Sequence, residues 1–244
     1  MNPFELTNKN ILVTGASSGI GRSIAVQLAA AGACVAVVGR NETELKNTFD
    51  SLSGSGHTAI ATDLTDNAAL ATLMDSLPAL DGIVHAAGMI KRFPLKFTSS
   101  QAFHELLDIN VVAASELTRW AVKKRKLNAE SSVVFISSVG SDYASLGNIM
   151  YMATKGAVNS LVKGLALELA KKGIRVNAVQ PGLIVTHLTQ QISSEELALQ
   201  VQNYPLGRFG TPEEVAFACQ YLLSDTTKWM TGSFVKLDGG LTLR

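Results

Sequence analysis

Residues 10–21 read "NILVTGASSGIG". A short apolar run leads directly into three glycines with the spacing GxxxGxG, and a helical pattern follows. Gly15 can form a tight turn, Gly19 lets a diphosphate approach the backbone, and Gly21 allows a helix to pack closely on a strand. The helix N-terminus adds free N–H groups and the positive end of its dipole. A turn of this kind between the first strand and the first helix predicts nucleotide binding.

The rest of the chain repeats this alternation of strand and helix. Its β-rich runs cover residues 10–15, 34–40, 58–63, 82–88, 132–138, 175–182 and 233–240. Most of them are continuously apolar, as strands are when both faces of a parallel sheet are covered. Helical patterns lie between them; in one, Ile20, Ile24 and Leu28 recur before Gly32, a favourable residue for ending a helix. We predict an α/β fold with a doubly wound sheet and right-handed crossovers.

The domain organisation follows from the same pattern. No linker, repeat or low-complexity tract interrupts it, so we expect one domain over residues 1–244. The exception is the polar segment 183–208, which separates two predicted strands. Two interpretations of this segment stay open: an insertion that covers a substrate pocket, or a plain surface excursion.

Composition excludes several classes of protein. With 47% hydrophobic and 17% charged residues the chain can bury a sizeable core and is not disordered. The net charge of +1 gives no reason to expect binding to nucleic acid or to an anionic membrane. Cys34 and Cys219 lie in apolar runs without CxxC spacing, so we expect free thiols in a reducing compartment and no metal site. Without a signal-peptide or membrane-spanning pattern, a cytoplasmic protein is expected.

The end of the second strand indicates which cofactor is bound. NAD-binding chains usually carry an acid here for the ribose 2′-hydroxyl, whereas this chain has Gly39 and Arg40. A guanidinium can pair with a 2′-phosphate through two hydrogen bonds, so we predict NADP(H); an ordinary surface arginine is the alternative. Asp63, which ends the third run, either accepts a hydrogen bond from the adenine amino group or forms a turn or helix cap.

A second motif, "YMATK" at residues 151–155, lies in a helical pattern. Residues four apart share one helix face, so Tyr151 and Lys155 lie side by side. By itself this pair is compatible with a packed tyrosine and a lysine that extends to solvent. Ser138 precedes Tyr151 by thirteen residues.

Taken together, these motifs resemble the short-chain dehydrogenase/reductase family in its compact single-domain branch. The resemblance rests on TGxxxGIG, Asp63, "AAG" at 86–88, the offset from Ser138 to YxxxK, and "PG" at 181–182. It continues through "PLGRFGTPEEVA" to "LDGG" near the end of the chain. It implies a Rossmann-type doubly wound sheet of about seven mostly parallel strands with helices on both faces, and a tetrameric assembly.

The resemblance also implies catalytic roles. Tyr151 is expected to be the general acid of carbonyl reduction, and Lys155 to lower its pKa and hold the nicotinamide ribose. Ser138 would bind the substrate oxygen, and Asn110 in "LDIN" would hold a water of the proton relay. The chemistry needs these groups because charge that develops on the carbonyl oxygen must meet preorganised donors. A phenol with a pKa near 10 also needs a nearby cation to transfer protons near neutral pH.

Cofactor contacts are implied for a larger set of residues: Gly15, Ser17, Ser18, Gly19, Ile20, Gly21, Arg40, Asp63, Leu64, Ala86, Ala87, Gly88, Tyr151, Lys155, Pro181, Gly182, Ile184 and Thr186. One departure is His85, because the family often has Asn-Asn-Ala-Gly where this chain has His-Ala-Ala-Gly. We expect His85 to be structural, with a backbone hydrogen bond. Ser137 has the wrong offset to Tyr151, and Tyr143 has no lysine four residues on, so it is expected in the pocket wall.

The substrate is less well defined. The overall resemblance is closest to 3-oxoacyl-[acyl-carrier-protein] reductases, and "KKRK" at 123–126 with Lys171 and Lys172 could dock an acidic carrier. These cations could equally stabilise helix C-termini. "MIKRFPLKF" at 89–97 and "THLTQQ" at 186–191 favour instead a sugar-acid or polyol dehydrogenase. A cofactor-binding regulator without turnover is the third alternative.

Assembly is expected through the helix that holds YMATK. Its small residues allow another helix to approach closely: Ala153, Gly156, Ala157, Ser160 and Gly164. Closed symmetry is the usual form of soluble oligomers. The resemblance implies a homotetramer that packs through this helix, with a dimer as the second possibility.

Overall fold

The computed structural model describes residues 2–186 and 194–243 and contains one sheet of seven parallel strands. The strands are β1 (Asn10–Thr14), β2 (Cys34–Gly39), β3 (Thr58–Ala61), β4 (Leu80–His85), β5 (Leu127–Ile136), β6 (Arg175–Pro181) and β7 (Phe234–Leu237). Each one lies within a run or next to a run that the sequence predicts. The α/β prediction is confirmed, and all seven strands are parallel rather than most of them.

Helices connect the strands and cover both faces of the sheet. They are α1 (Gly19–Ala30), α2 (Glu42–Asp50), α3 (Asn67–Ser76), α4 (Ser100–Leu107), α5 (Ala113–Lys123), α6 (Ile149–Leu169), α7 (Ser194–Val201) and α8 (Pro212–Leu223). Alternate residues of each strand point to opposite faces. On β1, Leu12 packs in the core layer of α3, α5 and α6, whereas Ile11 and Val13 pack in the layer of α1 and α8. Burial on both faces explains the continuously apolar strands.

The order of the strands indicates which edge of the sheet binds a ligand. The sheet runs β3-β2-β1-β4-β5-β6-β7, so the order of the strands reverses between β1 and β4. In open α/β sheets ligands bind at such a switch point, beyond the carboxyl ends of the strands. Thr14 at the end of β1 pairs with His85 at the end of β4. The glycine turn after β1 and the "AAG" segment after β4 therefore face each other across this crevice.

The segment predicted as an insertion returns to this same edge. Its residues 187–193 lie outside the described part of the chain, and with them most of "THLTQQ". In the described part, α7 leads to Tyr204, whose hydroxyl accepts a hydrogen bond at 2.9 Å from the Leu183 N–H. Both the single domain and the covering role of 183–208 stay predictions.

Two further sequence expectations can be compared with the structure. Cys34 and Cys219 are both free thiols, as predicted. Cys34 is half-buried and Cys219 is fully buried, and this burial raises the pKa of the Cys219 thiol. Among the described helices, none is both long enough and apolar enough to cross a membrane.

Candidate active site

A cavity of about 890 Å³ lies at the carboxyl edge of the sheet, a size suited to a ligand as large as a cofactor. Eighteen predicted site residues line it: Gly15, Ser17, Ser18, Gly19, Ile20, Gly21, Arg40, Leu64, Ala86, Ala87, Gly88, Ser138, Tyr151, Lys155, Pro181, Gly182, Ile184 and Thr186. Asp63 and Asn110 are not part of the lining. The fold thus gathers residues from six connections into one cavity.

Ser138 and Tyr151 lie together at one end of the cavity. Ser138 follows β5 and caps the 3₁₀ turn Val139–Ser141, where its Oγ accepts a hydrogen bond at 3.0 Å from the Gly140 N–H. The ring of Tyr151, in the first turn of α6, lies near Ser138 on the other side of Gly140. A Cβ added to Gly140 would lie 3.6 Å from Cε1 of Tyr151 and 3.3 Å from Oγ of Ser138. The Ser138 hydroxyl is also within hydrogen-bonding reach of the Tyr151 phenol.

Lys155 lies one helical turn beyond Tyr151 and is buried. Its Nζ donates a hydrogen bond at 2.8 Å to the Ile136 carbonyl at the end of β5, and it lies 5.6 Å from the centre of the Tyr151 ring. Burial lowers the pKa of Lys155 to about 8. The predicted face shared by the phenol and the ammonium is therefore present.

The pKa of Tyr151 differs from the sequence expectation. Burial of its hydroxyl is the largest influence and raises the pKa above its usual value near 10, although part of the side chain is exposed to the cavity. A hydrogen bond with Ser138 and the charge of Arg92 oppose this rise. The expectation that the Lys155 charge lowers this pKa is wrong here, because desolvation outweighs the charges around the phenol. The tyrosine is held as a neutral proton donor.

Asn110 lies behind the cavity, in a π-helical turn at Asp108–Val112 between α4 and α5. Its side chain clamps Met89: Oδ1 accepts from the Met89 N–H at 2.8 Å, and Nδ2 donates to the Met89 carbonyl at 3.0 Å. Nδ2 also donates to the Thr154 hydroxyl at 3.0 Å. The amide thus fixes the backbone after β4 next to α6. Its predicted role of holding a water stays a prediction.

The other end of the cavity is formed by the glycine turn. Gly15 has φ +65°, and a Cβ there would lie 2.7 Å from the Ala87 backbone. A Cβ on Gly21 would lie 2.2 Å from the Gly15 carbonyl oxygen. The first turn of α1 has no acidic residue, and the side chain of its N-cap Ser18 makes no capping hydrogen bond. These free N–H groups and the lack of Cβ atoms fit a diphosphate.

Arg40 lies at the end of the cavity where the adenosine is predicted to bind. It follows β2 directly, it is exposed, and no hydrogen bond or ion pair engages it within the described residues. The nearby Arg22 is occupied, because it forms an ion pair with Glu44 and a hydrogen bond with Thr48 at 2.9 Å. Arg40 is therefore the cation that is available at the predicted position of the 2′-phosphate.

Asp63, unlike most of the predicted cofactor-binding residues, does not line the cavity. Its Oδ1 accepts from the N–H of Thr65 at 2.9 Å and from the Thr65 hydroxyl at 2.7 Å. These bonds lower the pKa of Asp63 and hold its carboxylate in a turn. This geometry agrees with the alternative that Asp63 forms a turn. Its neighbours Thr62 and Leu64 line the cavity instead of Asp63. The contact with adenine stays a prediction.

His85, Ser137 and Tyr143 lie where a structural role was expected. His85 is buried with its Nε2 at 2.9 Å from the Thr118 hydroxyl, so the expected backbone partner is wrong and a side chain takes its place. Burial lowers the pKa of His85 to about 3, which keeps it neutral. Ser137 donates to Asn159 at 2.7 Å, and Tyr143 belongs to the cavity wall.

Among the lining residues outside the predicted set are Arg92, Ser145 and Asn148. "MIKRFPLKF" contains Arg92, but the sequence does not show which of its cations faces the cavity. Ser145 and Asn148 lie in the turn before α6 and carry no motif of their own. Their short distance from Tyr151 along the chain was the only available signal.

Comparison with known proteins agrees with this geometry. A family model described as enoyl-(acyl carrier protein) reductase matches residues 15–242. The chain belongs to the short-chain dehydrogenase/reductase family. It is an oxidoreductase with a nicotinamide cofactor, and the resemblance stated from its motifs is confirmed.

Relatives within the short-chain dehydrogenase/reductase family act on different substrates. The chain is 34% identical over 240 residues to a 3-oxoacyl-[acyl-carrier-protein] reductase FabG of Rickettsia felis, covering 98% of this chain and 99% of the relative. It is 32% identical over 248 residues to gluconate 5-dehydrogenase of Gluconobacter oxydans, covering 98% and 97%. A putative 2-deoxy-D-gluconate 3-dehydrogenase of Agrobacterium tumefaciens with bound NADP superposes with a TM-score of 0.91 at 33% identity, covering 100% of both chains.

Proposed function

We propose that the protein interconverts a ketone and a secondary alcohol with NADP(H), using Ser138, Tyr151, Lys155 and Asn110. The observation that carries this proposal is the shared cavity. Ser138, Tyr151 and Lys155 occupy one end of it, and the glycine turn with Arg40 forms the other. A bound cofactor would have its diphosphate on the turn and its nicotinamide beside the tyrosine.

The residues divide the chemistry between them. The nicotinamide, when bound, supplies or accepts the hydride. The Ser138 hydroxyl donates to the substrate oxygen from the same end of the cavity as the Tyr151 phenol. Tyr151 donates its proton to the oxygen as negative charge develops there. In the reverse direction Tyr151 accepts this proton, and the hydrogen bond with Ser138 and the charge of Arg92 favour its ionised form against the effect of burial.

Support for NADP(H) over NAD(H) comes from the end of β2. Gly39 and Arg40 stand where NAD-binding chains usually carry an acid, and Arg40 is exposed and makes no hydrogen bond or ion pair within the described part of the chain. A guanidinium without an internal partner can bind a 2′-phosphate without first breaking an ion pair. The bound NADP of the Agrobacterium relative agrees with this choice.

A 3-oxoacyl thioester is one candidate substrate, supported by the FabG relative. The expected carrier-docking cluster 123–126 lies between the end of α5 and the start of β5, at the amino edge of the sheet. The cavity lies at the other end of β5, and because Leu127 pairs with Leu80 and Phe135 with His85, five residues later on β4, the two ends are about 17 Å apart along the strand.

The cluster also has local partners. Lys124 forms an ion pair with Asp75, Lys126 donates to the Leu77 carbonyl, and Lys123 lies 4.7 Å from the centre of the Trp120 ring. Most of these charges therefore have local contacts, which supports the alternative that the cluster stabilises the end of a helix. A sugar acid is the second candidate, supported by the two gluconate relatives and by a cation in the cavity.

A substrate panel tests the proposed reaction. NADPH and NADH oxidation should be measured with 3-oxoacyl thioesters, keto acids and neutral ketones, and the reverse reaction with the corresponding alcohols. We expect turnover of at least one class, with NADPH preferred. NADPH binding, seen as a fluorescence change, without turnover of any class would contradict the proposal and support the regulator alternative.

We also propose a homotetramer that assembles through α6. A Cβ added to Gly156 or Gly164 would meet no atom within 4 Å, and Leu167 on the same helix is 82% exposed. This open, partly apolar surface supports contact with another copy. Light scattering at micromolar concentration should give four chains, and a monomer would contradict this assembly.

A further inference from the structure

We infer that Arg92 and Ser145 form a carboxylate-binding subsite beside Tyr151, so that the substrate is a small hydroxy acid or its keto acid. This inference rests on the proposed function and names its substrate class. It selects the free acid over the carrier-bound thioester. It also assigns a role to two cavity residues that the cofactor and the proton transfer leave unused.

The charges in the cavity support this inference. Among the described residues, its lining contains three cations, Arg40, Arg92 and Lys155, and no Asp or Glu. The cofactor accounts for two of them, since Arg40 lies at the 2′-phosphate position and Lys155 at the nicotinamide ribose. Arg92 remains. A cation in a cavity without carboxylates attracts an anion, and the remaining occupant of this cavity is the substrate.

Arg92 is free to make such a contact. Its neighbour Lys91 is held in an ion pair with Glu105 of α4, and Lys91 does not line the cavity. Arg92 itself makes no ion pair or hydrogen bond within the described residues, and it is exposed. The two adjacent cations therefore differ: Lys91 attaches the segment to α4, while Arg92 keeps its planar fork of donors for a ligand.

A backbone contact holds Arg92 near the reacting end. The N–H of the next residue, Phe93, donates to the Gly147 carbonyl at 2.9 Å. Gly147 lies in the turn between Ser145 and Asn148, which leads directly into α6 and Tyr151. The charge of Arg92 also acts on Tyr151, whose pKa it lowers. Arg92 and the catalytic phenol are thus close enough to interact electrostatically.

Ser145 supplies a second donor. Its Oγ accepts a hydrogen bond at 2.7 Å from Nδ2 of Asn148, a buried residue of the cavity wall. This bond occupies the hydroxyl oxygen as an acceptor and leaves the Ser145 proton to donate to another oxygen. Ser145 is exposed in the cavity. A guanidinium fork and an oriented hydroxyl together suit the two oxygens of a carboxylate.

The placement of these donors favours a free acid over a thioester. The carbonyl that reacts must lie against Ser138 and Tyr151, which leaves Arg92 for a group further along the same small molecule. A thioester has no charge near its reacting carbonyl, so it would leave the Arg92 donors without an anionic partner. A hydroxy acid places its carboxylate there.

The test compares matched pairs of acid and uncharged substrate. We would measure kcat/KM for acetoacetate against its methyl ester, and for aldonic acids against the alditols of the same chain length. The wild type should prefer the acid by at least about tenfold, since a hydrogen bond to a charged group contributes about 1.5–3 kcal/mol. In Arg92→Gln the acid should lose about 10- to 100-fold more than its neutral partner, mainly through KM, because a change in the Tyr151 pKa affects both substrates and cancels in their ratio.

Two further variants sharpen this comparison. Arg92→Lys should recover only part of the preference, because an ammonium cannot form the two-point contact. Lys91→Gln is the matched control: it removes a neighbouring cation that is already paired with Glu105, and it should leave the ratio unchanged. Equal loss for acid and neutral partner in Arg92→Gln, or a wild-type ratio near one, would overturn the inference and leave the proposed function standing.

A binding measurement decides the case in which no panel member is turned over. Calorimetric titration of the protein–NADP⁺ complex with each hydroxy acid should show binding that weakens at least about tenfold in Arg92→Gln. Absence of binding by every acid would overturn the subsite. Binding that depends on Arg92 without any turnover would support the subsite and contradict the proposed function.

Discussion

Replacing Arg40 with leucine should remove the preference for NADP(H). Arg40 is exposed at the adenosine end of the cavity, and no partner within the described part of the chain holds it. A hydrogen bond between charged groups contributes about 1.5–3 kcal/mol, which corresponds to about 10- to 150-fold in Kd. We therefore expect Arg40→Leu to weaken NADPH binding by this factor while NADH binding changes less than about threefold.

The assay is a fluorescence titration with both cofactors at low and high salt. Because Arg40 is exposed, salt should reduce the wild-type preference, as charges in solvent are screened over about 8–10 Å. Lys46→Leu is the control, since Lys46 is an exposed cation of α2 whose partner is Asp50. Equal affinity of the wild type for NADPH and NADH, or equal losses for both in Arg40→Leu, would refute the role of Arg40.

Two predictions concern buried titratable groups. Lys155→Met should lower both the catalytic rate and the affinity for NADPH. Burial lowers the Lys155 pKa to about 8, so between pH 8 and 10 only the unfolded chain keeps the proton, and the wild type should become more stable as the pH rises. Urea denaturation should show that the variant lacks this gain in stability. His85, with a pKa of about 3, binds its proton only in the unfolded chain between about pH 3 and 6.5. The free energy of unfolding should therefore fall by about 1.4 kcal/mol for each pH unit below 6.5, and His85→Asn should reduce this dependence on pH. An unchanged dependence of stability on pH in either variant would contradict the burial argument.

The fold could be predicted from sequence because its determinants are local. The glycine turn at 14–21 and the apolar runs are set by backbone conformation and burial, and both are visible in the order of residues. The spacing of Ser138, Tyr151 and Lys155 likewise placed three groups in one cavity. Helical periodicity and parallel strand order are enough to bring such residues together.

The electrostatics could not be predicted, because they depend on tertiary surroundings. The pKa of Tyr151 follows from the desolvation of its hydroxyl, which no motif records. Of two adjacent cations, Lys91 finds Glu105 fourteen residues later in the chain, and Arg92 finds no partner within the described residues. Only the folded chain shows which of these charges is available to a ligand.

The sequence also does not show at which edge of the sheet a residue lies, or at which residue a strand ends. The cluster at 123–126 suggested a docking site near the substrate, yet it lies at the amino edge, opposite the cavity. Asp63 was placed at the end of a strand, but β3 ends at Ala61 and the carboxylate is held in a turn. A shift of two residues at a strand end was enough to move this side chain out of the lining.

We propose Tyr151 as the proton donor of carbonyl reduction, and a single-turnover measurement with Tyr151→Phe isolates this role of its hydroxyl. The variant keeps the ring and removes only the hydroxyl. With the best ketone of the panel, hydride transfer from NADPH should fall by at least 10²- to 10⁴-fold, as is typical when an acid–base group is removed. NADPH affinity should stay within about threefold, because the hydroxyl acts in the transition state. A rate above about a tenth of the wild-type value, with chemistry limiting, would contradict the account.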